Sequence, residues 1–184
     1  IINTGIVRMH YHLKEQKKLK IENEEKFNLK CLIADWHSVK DWYLNGRLHN
    51  NLTWKKNLSF YRDVVLLAKK NQDILFLIKG KNYNWLEIPY FSGILKEIKA
   101  SPNIQIFNDF SNYNEWTTSN CIKNVDFGII LMSLLGDEML VHGKPIIVFK
   151  KEDHKFSSVD YGPNILSHSF EDLVLKIEKI KLDI

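Results

Sequence analysis

Cysteine is scarce, and Cys31 and Cys121 are the only two in the chain. Both sit in apolar stretches without metal-type spacing. This argues against a disulfide framework or a cysteine-ligated metal, and points to reduced thiols in a cytoplasmic protein. No stretch approaches the roughly 20 consecutive apolar residues of a transmembrane helix, and no signal peptide is recognisable. Also missing are the Gly-x-x-x-x-Gly-Lys-Ser/Thr phosphate loop and the Gly-x-Gly-x-x-Gly fingerprint. There is no Gly-x-Ser-x-Gly nucleophile turn either. No internal repeat or low-complexity tract appears. Charge of one sign is not concentrated: the net value is +4, with basic residues spread along the chain. That makes a poor general nucleic-acid surface but leaves room for a local positive pocket that takes a phosphorylated ligand.

What is present is an ordinary globular composition, 45% apolar and 26% charged over 184 residues, enough for one α/β domain with a core on both sheet faces. The chain opens without Met at Ile1-Ile2-Asn3-Thr4, as though continuing from a preceding region, and Lys14 to Lys30 reads as a charged linker or short exposed helix. Residues 1–28 are therefore expected to be a linker from a missing N-terminal half, and residues 29–184 the folded domain.

The organising stretch runs from Val125 to Lys150. Val125 to Met132 is a continuous apolar run of strand length, as suits a strand covered on both faces. Ser133 to His142 then reads as a helix with a Ser N-cap, acids in its early turns and Gly143 just past its end. Lys144-Pro145 cannot continue that helix, and Ile146 to Phe149 starts the next strand. Further strands are expected at Leu29–Trp36, Asp73–Ile78 and Asn103–Phe107. Helices are expected at Asn57–Lys70, around Phe91–Ile98, near Cys121, and at Ser169–Leu182. This alternation predicts an α/β, Rossmann-like, doubly wound sheet of about five or six parallel strands joined by right-handed crossovers.

Ligands in such sheets bind beyond the carboxyl ends of the strands, so the candidates are the residues placed there. They are Asp35, Trp36 and His37; Lys79, Gly80 and Lys81; Asn108 and Asp109; Ser133 to Glu138; and Asp153 and His154. Lys79 and Lys81 can neutralise phosphate oxygens, and Gly80 permits close backbone approach. The turn from Ser133 through Gly136 and Asp137 offers helix N–H groups to an anion. Glu138, one turn in, can accept hydrogen bonds from vicinal hydroxyls. The plain alternatives are a solvated turn for the lysines and a favourable helix-dipole charge for Glu138. Trp36, Phe110 and Tyr113 are aromatic candidates for a nucleobase.

Three stretches carry a resemblance: Ile78-Lys79-Gly80-Lys81, Val125-Asp126-Phe127-Gly128-Ile129, and Ser133-Leu134-Leu135-Gly136-Asp137-Glu138-Met139-Leu140 running into Gly143-Lys144-Pro145-Ile146-Ile147-Val148. They resemble the C-terminal, nucleotide-sugar-binding half of GT-B glycosyltransferases, especially capsule and surface-polysaccharide transferases and their glycerophosphotransferase branch. Gly5-Ile6-Val7-Arg8 is similar to the Gly-x-x-Arg-x-Asp entry into that half, with His10 in place of the Asp.

The resemblance implies that Glu138 holds donor ribose or sugar hydroxyls and that Ser133 and the backbone beyond it hold the diphosphate. It implies that Lys79 and Lys81 stabilise the leaving phosphate, where charge develops as the bond breaks. It also implies a nucleotide-activated sugar or polyol donor, and a glycan or lipid-linked acceptor reached through the missing half, which would also supply the general base. No catalytic residue, metal or further cofactor is assigned within this chain. The protein would be cytoplasmic, with the full-length form able to sit at the inner membrane face. A non-catalytic Rossmann-like module and a nucleotide-sugar 2-epimerase half are the competing readings.

Overall fold

The computed structural model describes residues 21–35, 40, 43–44, 47–48, 53–80, 84–107, 118–131, 133, 135–151 and 162–183. Apolar runs of strand length form the sheet. They are β1 (Leu29–Ala34), β4 (Ile74–Lys79), β5 (Ile104–Ile106), β6 (Phe127–Ile130), β7 (Ile146–Phe149) and β8 (Leu166–Ser167). Two short strands, β2 (Tyr43–Leu44) and β3 (Arg47–Leu48), pair antiparallel as a separate hairpin. The helices are α1 (Trp54–Lys70), α2 (Ser92–Ala100), α3 (Thr118–Lys123), α4 (Leu135–Val141) and α5 (Phe170–Asp183).

The six strands of the main sheet lie in the order β5-β4-β1-β6-β7-β8, every neighbouring pair parallel. In sequence rank this is 3-2-1-4-5-6, the order of a doubly wound, Rossmann-like sheet. Alternation along β1 divides the core. Cys31 and Ile33 face α1, α2 and α5, while Leu32 and Ala34 face α3 and α4.

Elements differ from expectation mainly at their ends. β6 is shorter than Val125–Met132 because Asp126 joins β1 by a side-chain bridge: Lys30 N–H donates to Asp126 Oδ2 (2.7 Å) and Asp126 N–H to Lys30 O (2.8 Å). α1 begins three residues before the expected Asn57, so Trp54 is helical. β8 was not anticipated, since two residues show no period; its Ser167 is fully buried and its Oγ donates to Ser169 O (3.1 Å). Ile21 is also buried, in the core beneath α3 and α4, so packing begins upstream of β1.

The ends of α4 follow from single residues. Ser133 Oγ accepts the Leu135 N–H (3.2 Å), the expected N-cap. Gly143, at φ 68°, donates to Leu140 O (2.9 Å), and Lys144 N–H reaches Met139 O (2.9 Å), the two bonds of a Schellman turn. Gly128 permits close approach of α4 to β6: a Cβ there would come 2.5 Å from Met139 Sδ.

The carboxyl end of α1 is closed by amides. Asn71 Nδ2 donates to Leu67 O (3.0 Å) and Gln72 Nε2 to Ala68 O (2.9 Å). Asn103, just before β5, donates from one Nδ2 to Ala68 O, Asn71 O and Ile74 O at 3.0, 3.0 and 2.9 Å. Two hydrogens serve three carbonyls, so one is shared. Asn103→Ala removes three hydrogen bonds, although Ala68 O keeps Gln72 Nε2 and Asn71 O keeps the Ile74 N–H, and should cost roughly 1–2 kcal/mol, seen as a lower urea midpoint at unchanged slope. Asn103→Asp, which cannot donate, should be at least as damaging. Midpoints equal to the parent would show that the carbonyls find other partners.

Candidate functional site

The strand order reverses between β1 and β6. The last rung between them is Leu131 N–H to Ala34 O (3.0 Å), opposite the Ala34–Ile130 pair. Beyond it the chain leaves β1 toward α1 on one face and leaves β6 toward α4 on the other. In open α/β sheets such a reversal of strand order, at the carboxyl edge, is where ligands are taken.

On the α1 side of the reversal the buried residues are polar next to β1 and aromatic behind. Asp35, the first residue after β1, is buried and accepts a hydrogen bond from Tyr61 Oη on α1. Tyr61 is fully buried and stacks on Trp85, with centroids 4.4 Å apart at 20°. Trp85 meets Phe91 edge-on at 5.7 Å. Phe60 approaches Phe149 of β7 (6.3 Å), and buried Asp63 pairs with Lys151 Nζ at 2.9 Å. α1 is thereby tied to the ends of both β1 and β7. In the sequence, Tyr61 falls on the apolar face of α1 with Val64, Val65 and Ala68, and its hydroxyl and the nearby Asp63 are the one trace there of this polar contact.

On the other side, Ser133 is half-buried and engaged in capping α4. Gly136 is buried, and a Cβ there would lie 3.3 Å from Ile146 Cδ1 and 3.6 Å from Ile130 Cγ1, so its lack of a side chain lets α4 rest on the sheet. Asp137 is half-buried, whereas Glu138 is only 7% exposed and directed into the protein.

Lys79 ends β4 opposite Ala34, on the face that carries α3 and α4. Burial pushes the Cys121 thiol on α3 up to about 12, against the opposing pull of the Lys79 charge. Gly80 follows, buried. Lys79 thus shares a face with the Ser133–Glu138 turn, but β1 lies between β4 and β6, leaving the two strands about 10 Å apart.

Lys81 lies outside the described residues, as do Trp36, His37, Asn108, Asp109, Phe110, Tyr113, Asp153 and His154. His168, at the foot of α5, donates from Nδ1 to Lys150 O (3.0 Å) and joins the ends of β7 and β8. Among the described residues no group of three or more His, Cys, Asp or Glu is placed to hold a metal, and no helix is long and apolar enough to cross a membrane. Compared with protein-family models and with curated proteins, the chain matches none.

Two outcomes follow from this geometry. Tyr61→Phe removes the donor to a buried carboxylate and should cost about 1–3 kcal/mol. Paired with Asp35→Asn in a double-mutant cycle read by urea unfolding, it should show non-additive losses; additive losses would mean that the two side chains do not interact. Cys31 and Cys121 are both buried, with burial pushing each thiol up. Both should therefore resist iodoacetamide at mildly alkaline pH in the folded chain and react in denaturant, as mass spectrometry of the alkylated protein would show. Rapid labelling of either in the native protein would contradict this packing.

Proposed function

We propose that the chain binds a nucleotide-activated sugar or polyol donor at the reversal of strand order, as the donor-binding half of a GT-B type transferase acting on a surface-polysaccharide acceptor. The observation that carries the reading is the 3-2-1-4-5-6 order, which reverses between the strands that Asp35 and the Ser133 turn follow. At that reversal, the backbone beyond Ser133 takes the diphosphate, Lys79 and Lys81 offset charge on the leaving phosphate, and Gly80 and Gly136 allow close backbone approach. Asp137 adds a polar rim. Glu138 takes donor hydroxyls, which requires its carboxylate to turn outward on binding. The acceptor site and the general base belong to a second half, so donor binding without turnover is expected of residues 29–184.

A second reading, a non-catalytic Rossmann-like module, is favoured by the burial of Glu138, which withdraws that carboxylate from solvent. Thermal shifts with a panel of UDP, CDP, GDP and CMP compounds separate the two. A bound nucleotide at a hundred times its Kd should add about 2.7 kcal/mol to stability. A flat response across the panel favours the module.

For whichever nucleotide binds, calorimetric titration of Lys79→Ala should show a loss of roughly 1.5–3 kcal/mol with nucleoside diphosphate. That loss should shrink at higher salt and vanish with the free nucleoside. Glu138→Gln should weaken nucleoside and diphosphate alike if ribose is its partner. Unchanged affinities in both variants would remove these residues from the site.

A further inference from the structure

We draw no further inference here: the strongest candidate, the surface patch formed by Trp54 and the exposed Tyr90 beside Lys55 at the start of α1, is an aromatic pair at a helix N-terminus, and nothing in the structure shows what covers it.

Discussion

Strand β1 has a strand on each edge and helices over each face, so none of Cys31, Leu32, Ile33 or Ala34 is more than 1% exposed. Backbone donors and acceptors so enclosed must be paired, and β4 on one side and β6 on the other supply the partners. Parallel pairing then obliges each connection to cross back over a face of the sheet. With β1 at the centre, the crossover to β4 takes one face and the crossover from β6 to β7 takes the other. The reversal of strand order at the carboxyl edge is therefore a by-product of burying the central strand, and any ligand chemistry is added there by the residues at the strand ends.

Those strand ends differ in character. On the α1 side, polar groups are engaged with one another: Tyr61 with Asp35, and Asp63 with Lys151. Such contacts tie α1 to the strand ends, because Tyr61 and Lys151 each bring a partner from another element to a buried carboxylate. On the α4 side, Ser133 and Gly136 serve the local fold by capping and by close packing. The Leu135 and Gly136 N–H groups are already taken up by Ser133, through its Oγ and its carbonyl, so an anion bound at this turn would have to share them.

How much was legible from the residues depends on what each signal encodes. Ile74 to Ile78 and Ile146 to Phe149 are long, wholly apolar and bounded by polar or turn-forming residues, so strand type and approximate limits could be read directly. Gly143 announced its turn because a left-handed φ is costly for other residues. The two-residue strands β2, β3 and β8 are too short to show a period. Glu138 and Tyr61 show a deeper limit. An acid early in a helix looks like a charge set against the dipole, and a tyrosine on an apolar face looks like core. Whether the carboxylate is buried, or where the hydroxyl points, is decided by elements far away in the chain.

Asn103 links parts of the molecule that would otherwise behave independently. A three-residue edge strand such as β5 is ordinarily the first to fray, opening with little effect on its neighbours. Here the side chain immediately before it holds carbonyls from the last turn of α1, from the turn beyond, and from the first residue of β4. Releasing the edge therefore uncovers the end of α1, the longest helix among the described residues, and ties the opening of β5 to that of α1 and β4.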